Sequence, residues 1–566
     1  MVMSRNARRE VHDVCIVGSG AGGGMAAYEL SRAGARVILL EAGVPWDNTK
    51  NSDMFVWPYQ TPLRGRGTAD RPFGEHDACI GGWNIPGEPY TKAPGTDFSW
   101  WRARMVGGRT NHWGRISLRF GPDDFRHKSV DGLGDDWPIS YDDLAPFYDD
   151  TDRLIGVFGS KEGMRNNPDG IFLPPPIPRC WEMLVKKASD ALDLTCVPSR
   201  LSILTKSIHG RAPCHYCSQC NRGCGVNANF SSTNVLVIPA LATGRVTLRT
   251  NTMVREVTVG ADGLADGVIA IDKRTRTEQK IAARIVVLAA SALETARILL
   301  NSQSSRFPQG LANSSGVVGK YITDTVGADA WGYVPALADQ PRHNCDGVGG
   351  AHLYLPWTTD NSKLDFPRGY HTEIWGGMGM PSYGFMGGIQ SYPPGGGYGA
   401  SLKNDYRRYW GATIGFSGRG EMIPNDDSWC ELDPHTVDQW GIPVLRFHWK
   451  WSDHEKLQVK HMQERFRALL DQMGATPSEP MPSAEDGYGI STGGSIIHEV
   501  GGVRMGDNPS TSALNSHCQA WDCRNLFVTD GAPFVSQADK NPTLTILALS
   551  MRTARYIADQ RKAGAL

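Results

Sequence analysis

Cys214, Cys217, Cys220 and Cys224 fall within eleven residues in the spacing Cys-x2-Cys-x2-Cys-x3-Cys. Thiolates two or three residues apart turn toward one metal centre without a long loop, and this spacing is that of an iron–sulfur loop, with Gly225 where a proline usually follows the last cysteine. A tetrahedral zinc site also accepts four thiolates, but it usually draws them from two Cys pairs separated by a longer spacer, which this run lacks. Zinc or free thiols are the alternative reading. An iron–sulfur centre would give the chain single-electron chemistry.

Residues 11–43 point to a second redox group. Val14-Cys15-Ile16-Val17 reads as a strand, Gly18-Ser19-Gly20-Ala21-Gly22-Gly23 as a turn, the Ala-rich stretch to Ala33 as a helix, and Val37-Ile38-Leu39-Leu40-Glu41 as a second strand. In this βαβ unit Gly18 permits the sharp turn, Gly20 lets a pyrophosphate approach the backbone, and Gly23 lets helix meet strand. Glu41 ends the second strand, where a carboxylate binds ribose hydroxyls. The unit alone does not separate FAD from NAD. Two later apolar runs, Ile285-Val286-Val287-Leu288 before Ala289 to Arg297, and Asn525-Leu526-Phe527-Val528 before Thr529-Asp530-Gly531, read as further strands of a flavin domain assembled from distant segments.

The elements that must hold these groups come from a chain of 566 residues, long enough for several domains and a large core. Lys plus Arg (58) nearly balances Asp plus Glu (59), so no net field favours nucleic acid or an anionic membrane, and a small neutral substrate fits. Twelve cysteines are too sparse and too clustered for a disulfide scaffold. No apolar run approaches a membrane span, and Arg8-Arg9 lacks the apolar run of an export signal, so neither a transmembrane helix nor a signal peptide is expected.

With Glu41 and the Val286 strand, the ending His498-Glu499-Val500-Gly501-Gly502-Val503-Arg504-Met505-Gly506 through Asn541-Pro542-Thr543 resembles the glucose–methanol–choline (GMC) oxidoreductases. Gly107-Gly108-Arg109-Thr110-Asn111-His112-Trp113-Gly114 and Trp137-Pro138-Ile139-Ser140-Tyr141-Asp142-Asp143-Leu144 are similar to the sugar dehydrogenase and pyranose oxidase branch, and the cysteine run to its iron–sulfur-bearing catalytic subunits. The resemblance implies an α/β fold: a Rossmann-like, discontinuous FAD-binding domain plus a substrate domain with a mostly antiparallel β-sheet. The expected spans are 11–130, 206–323 and 486–566 for the FAD-binding parts, with the iron–sulfur loop in the second, 131–205 for a helical insertion, and 324–485 for the substrate domain.

The resemblance also implies roles. His498 is the expected base and Asn541 its partner on the substrate oxygen, with the 43 residues between them closed by the fold. Asn541-Pro542 also reads as a helix start that faces the flavin. Gly107, Gly108, Asn111, His112, Asp530 and Gly531 are expected against the cofactor. His112 is expected to pack over the flavin ring, a covalent link being the alternative. Ser291 replaces a glycine usual in the family. His352, His371, Glu373, Trp375 and Tyr383 are candidates for a sugar-facing wall, and residues 431–444 for a hairpin of the substrate sheet with Asp438 at its turn.

The implied reaction is hydroxyl oxidation on a sugar or glycoside, preferably at carbon 3 of a glucoside. The alternatives are carbon 1 of glucose, a gluconate-type sugar acid, and an oxygen-using oxidase. Electrons would pass through a 3Fe-4S or 4Fe-4S cluster to a cytochrome c, across an exit surface near Arg222, His215 and Tyr216. A small subunit carrying the export signal would take the protein to a bacterial periplasm, a cytoplasmic location being the alternative.

Overall fold

The structure, a computed structural model, describes residues 11–65, 67–68, 74, 77–341, 347–378 and 398–566. The first unit is β1 (Val11–Val17), α1 (Ala21–Arg32) and β2 (Val37–Leu40). Next come β3 (Val246–Arg249), β4 (Thr252–Val259), β5 (Ala265–Asp272), β6 (Glu278–Leu288) and α2 (Ala292–Asn301). A second group comprises β7 (Val326–Tyr333), β8 (Leu353–Leu355), β9 (Tyr370–Gly376), β10 (Thr413–Gly420) and α3 (Asp453–Gln472). The chain returns to the first with β11 (Leu526–Val528) and α4 (Thr543–Lys562).

Five strands form a parallel sheet in the order β3-β2-β1-β6-β11. Apart from the partly exposed edge strand β3, their residues are apolar and buried on both faces, as in Val14 to Val17 and Val286 to Leu288. Besides β1, the long β6 serves two neighbours: residues 278–282 pair antiparallel with β5, and residues 286–288 pair parallel with β11. Segments 500 residues apart in sequence thus close one doubly wound sheet, as expected for a discontinuous nucleotide-binding fold.

Glycines set how closely helix and sheet approach. A Cβ on Gly18, whose φ is +97°, would lie 2.2 Å from the Ala289 carbonyl oxygen; on Gly22 it would lie 2.0 Å from that of Thr529, and on Gly23 1.9 Å from that of Gly18. Gly18 and Gly23 fill the roles their positions in the turn suggest. Gly22 takes a further one, seating α1 on the turn after β11. Ser550 of α4 donates its hydroxyl to the Gly22 carbonyl at 2.7 Å, tying the last helix to the first.

The second sheet is antiparallel throughout: residues 476–477, β7, β10, β9, β8, then residues 197–198. Ile414 and Phe416 of β10 point to α3, where Phe416 stacks on Phe466 at 5.7 Å. Gly415, Ser417 and Arg419 therefore project from the opposite face, by strand alternation. The 431–444 hairpin forms, as strands Trp429–Val437 and Pro443–His448, but it does not join this sheet. It pairs instead with Thr91–Lys92 in a separate three-stranded sheet. Buried Asp438 at its turn accepts Arg297 Nη2 of α2 at 2.8 Å, and the same guanidinium reaches the Ile442 and Pro443 carbonyls, so the hairpin is anchored to the nucleotide-binding half.

Gly22→Ala and Gly20→Ala separate packing from the open face of the turn. A Cβ at Gly20 meets nothing within 4 Å and the backbone there, at φ −66°, suits alanine. Gly22→Ala is expected to destabilise by roughly 1–3 kcal/mol, and Gly20→Ala by less than about 0.5 kcal/mol. Thermal unfolding of the two variants checks this; equal melting temperatures would contradict it.

Candidate functional site

A 580 Å³ cavity extends from the glycine turn to the C-terminal segment. Gly18, Gly20, Gly22 and Glu41 line it together with Gly108, which lies against Gly20, and so do Ser291, Asp530, Gly531, His112, His498 and Asn541. Its volume and lining suit a dinucleotide. α1 follows Gly20, with no acidic residue in its first turn and no side-chain cap, so its leading amides are left for an anion. Because nothing fills the space where a Gly20 Cβ would lie, that space is open to a pyrophosphate.

Glu41 is held by Ser19, whose N–H and hydroxyl donate to Oε2 at 3.1 and 2.5 Å, and by Gly43 N–H at 2.7 Å on Oε1. Burial raises its pKa against these bonds and against the charge of Arg104. Asp530 accepts Thr295 Oγ1 at 2.5 Å and Ala532 N–H at 2.9 Å, and burial pushes it up to about 6. Ser291 has φ +85° and ψ 155°, a region nearly exclusive to glycine, so the serine there carries backbone strain at the cavity wall.

Residues 106–112 divide into a lining part and a scaffolding part. Gly108 and His112 face the cavity, and burial, then Arg115 and Arg109, hold His112 down at about 3. Gly107 and Asn111 sit behind that wall. Gly107 N–H donates to Ser19 Oγ at 3.0 Å, and Asn111 Nδ2 donates to the carbonyls of Val106 (2.8 Å) and Gly108 (3.2 Å). Asn111 is thus spent on folding the turn rather than turned to the cavity, because its amide satisfies buried carbonyls of a loop with two left-handed glycines.

His498 and Asn541 meet across their 43 intervening residues: Asn541 Nδ2 lies 3.3 Å from His498 Nε2. The same Nδ2 donates to Glu373 Oε1 at 3.2 Å. Glu373 is ionised, for although burial opposes its charge, Arg419 and His371 hold it at about 2. A carboxylate accepts only, so Nδ2 is the donor to both neighbours and His498 Nε2 the acceptor. The neutral ring then carries its proton on Nδ1, which donates to Thr325 Oγ1 at 3.0 Å. Burial, then Arg419, holds His498 down at about 3, so it is neutral at physiological pH with a lone pair on the cavity side. Its backbone N–H is fixed by Asp324 Oδ1 at 3.0 Å.

Asn541 is braced from behind. Lys540 is buried between Asp124 (2.8 Å) and Asp539 (2.6 Å), and the Asp539 carbonyl accepts His371 Nδ1. Among the described residues, Asp124, His127 and Glu421 are the one trio of His, Cys, Asp or Glu ligand atoms mutually within 4.8 Å. Lys540 and, at 2.8 Å, Arg368 already neutralise its carboxylates, so the trio belongs to an ion network that fixes residues 539–541.

Of the proposed sugar-facing wall, Glu373 and His371 lie beside Asn541, and Trp375 follows on the same strand face. His352 does not join them. It is buried with Nδ1 donating to the Ile177 carbonyl at 2.7 Å and Nε2 accepting Val348 N–H at 3.2 Å, away from the catalytic cavity. Tyr383 lies outside the described residues.

The four cysteines line a second, small cavity with Met54 and Ile203. Burial, then repulsion from the other three sulfurs against one N–H···S bond from Tyr216, pushes Cys214 up to about 12. Ala228 N–H donates to Cys224 Sγ at 3.3 Å. This pocket adjoins the larger one: Cys220 lines the thiol cavity while the next residue, Asn221, lines the large cavity. Buried Arg115 spans the partition, donating through one Nη2 to the carbonyls of Asn111 (2.9 Å) and Cys220 (2.7 Å). Arg222 is not on the surface as expected: the Asp53 and Val56 carbonyls hold its guanidinium inside, leaving His215 and Tyr216 exposed.

Models of the GMC oxidoreductase family match residues 201–324 and 424–550, and a model of the FAD binding domain matches residues 13–67. The chain is 30% identical to 2-methyl-1,2-propanediol dehydrogenase of Mycolicibacterium austroafricanum over 96% of this chain and 95% of that one. It is 25% identical to the fructose dehydrogenase large subunit of Gluconobacter japonicus over 98% of both chains. Pyridoxine 4-oxidase from Mesorbium loti superposes with a TM-score of 0.61 at 17% identity, covering 96% of this chain and 99% of the other, a likeness of fold. The glycine cradle, the separated strands and the full-length likeness agree: the chain belongs to the GMC oxidoreductase family and is an FAD-dependent oxidoreductase.

Proposed function

We propose that the protein is an FAD-dependent dehydrogenase that oxidises one hydroxyl of a sugar or glycoside, preferably at carbon 3 of a glucoside. The observation that carries this reading is the His498–Asn541 pair, 3.3 Å apart on the cavity wall with the lone pair of His498 Nε2 unprotonated. Oxidising an alcohol removes a proton from oxygen and a hydride from carbon. Bound flavin supplies the two-electron acceptor for the hydride. Once the substrate hydroxyl replaces Asn541 Nδ2 on the His498 lone pair, Nε2 takes the proton and the released amide N–H of Asn541 orients the same oxygen. Thr325 steadies the histidine through Nδ1, and Gln537 Nε2 donates to the Thr325 hydroxyl at 3.1 Å, so the ring is held from its far side. Ionised Glu373, close to this pair, disfavours an anionic sugar acid and favours a neutral polyol. The name of the Gluconobacter relative supports a sugar substrate. Identity to a diol dehydrogenase favours a small diol as the second reading.

The four cysteines would hold a 3Fe-4S or 4Fe-4S cluster, which supplies one-electron transfer toward a cytochrome c-type acceptor. The unbroken Cys-x2-Cys-x2-Cys-x3-Cys spacing supports iron over zinc, which usually takes two separated pairs. N–H···S bonds to Cys214 and Cys224 are of the kind that tune iron–sulfur centres. A small subunit carrying an export signal, and through it a periplasmic location, accord with the large-subunit name of the same relative.

His498→Ala is expected to bind flavin normally while anaerobic bleaching of flavin by substrate slows by about 10²–10⁴-fold; stopped-flow absorbance measures it, and near-wild-type bleaching would remove His498 as the base. Cys220→Ser is expected to keep that bleaching but lose iron and reduction of cytochrome c. Unchanged cytochrome reduction would exclude the relay.

A further inference from the structure

The register of the second sheet places three rungs of side chains on the face that carries Glu373. His371 pairs with Arg419, Glu373 with Ser417, and Trp375 with Gly415, and across β10 Ser417 pairs in turn with Asp329 and Gly415 with Trp331. Residues directly opposite in an antiparallel sheet share a face. The middle rung touches the reacting pair, through Glu373 Oε1 and Asn541 Nδ2 at 3.2 Å. The Trp375 rung lies two residues further along the strand, about 7 Å away, which is on the order of one sugar ring.

Trp375 is 40% exposed, although it is one of the largest apolar side chains on the sheet. The residue opposite explains its pose. A Cβ on Gly415 would lie 2.2 Å from Cε2 and Cζ2 of Trp375, so the indole lies across the glycine and turns its other face outward. Trp331 stands 6.5 Å away at 47°, forming a second wall of the niche. Below it, exposed Asp329 accepts the Ser417 hydroxyl through Oδ1.

We infer that Trp375, Trp331 and Asp329 form a second sugar subsite, which stacks the pyranose ring glycosidically bonded to the one presented to His498. The apolar face of a pyranose suits a flat indole, and Asp329 accepts its ring hydroxyls. This rests on the sugar reading proposed above and deepens it: the substrate is a disaccharide or longer glycoside rather than a free monosaccharide. A tryptophan laid over a cross-strand glycine also steadies a sheet on its own, by rescuing the strand's missing side-chain packing, so the test must read substrate as well as stability.

Steady-state kinetics with a dye acceptor, using cellobiose, maltose and methyl glucoside, separates the cases. Trp375→Ala is expected to raise KM for the oxidised disaccharide about tenfold, the size of one stacked-ring contact. kcat, and both constants for methyl glucoside, should stay within about twofold. Gly415→Ala, which pushes the ring off its seat, should give the same disaccharide defect, and Trp375→Tyr should recover most of the affinity. A lowered melting temperature with unchanged KM, or KM rising equally for methyl glucoside and disaccharide, would overturn the subsite. Oxidation of methyl glucoside but of neither disaccharide by the wild type would overturn it alone. Failure of the wild type to oxidise any of the three sugars would overturn the sugar reading and the subsite with it.

Discussion

Backbone meets backbone where α1 begins, and the rest of the molecule is arranged around that contact. Gly18, Gly22 and Gly23 bring the turn to within a missing methyl of the Ala289 and Thr529 carbonyls and of the turn itself. Three segments, near residues 20, 290 and 530, are thereby clamped into one body, and each contributes a wall of the large cavity. The clamp also fixes α4 through Ser550, and Tyr148 holds the start of that helix through Thr545 at 2.7 Å. Since α4 begins two residues after Asn541, cradle and catalytic pair share one frame. Side chains at these glycines would separate them, because close-packed backbone has no slack to absorb a methyl group.

Charge placement does the remaining work at the reacting end. A neutral histidine is a base only if its unprotonated nitrogen faces substrate, and that choice is made by partners several residues removed from the chemistry. Glu373, kept ionised by Arg419, makes Asn541 Nδ2 a donor, and that donor leaves Nε2 of His498 as the acceptor. Lys540, between Asp124 and Asp539, is buried with its charge compensated and holds the Asn541 turn from behind. These ion pairs are worth more as positioning devices than as net stability, since burying them costs much of what their attraction returns.

Much of this was legible in the chain. The βαβ unit with Glu41, the return strands at 286 and 526, and the antiparallel second sheet were all expected, because apolar runs bounded by glycine turns leave a strong local signal. Gly22 and Ser19 escaped notice: their roles depend on Thr529 and Gly107, which no local pattern connects to them. The motif around Asn111 suggests a cofactor contact, yet its amide folds the motif. His352 and Arg222 looked functional because polar residues in suggestive places often are, but backbone carbonyls hold both inside. The 431–444 hairpin was legible as a hairpin, whereas its sheet was decided by Arg297 grasping Asp438 from α2, a tertiary bond without a sequence signature. Gly415 carried no signal until the register set it opposite Trp375.

Arg115, Asn221 and Cys220 stand between the cavity that His498 lines and the pocket of the four cysteines, so the relay proposed above would have that partition to cross. The most direct measurement is the visible spectrum and iron content of anaerobically prepared wild-type protein before and after adding a glucoside. The predicted result is bound flavin together with iron and a broad brown absorbance, both chromophores bleaching on addition of sugar with no other reductant present. Flavin that bleaches in a protein free of iron, or iron whose absorbance the sugar leaves unchanged, would contradict it.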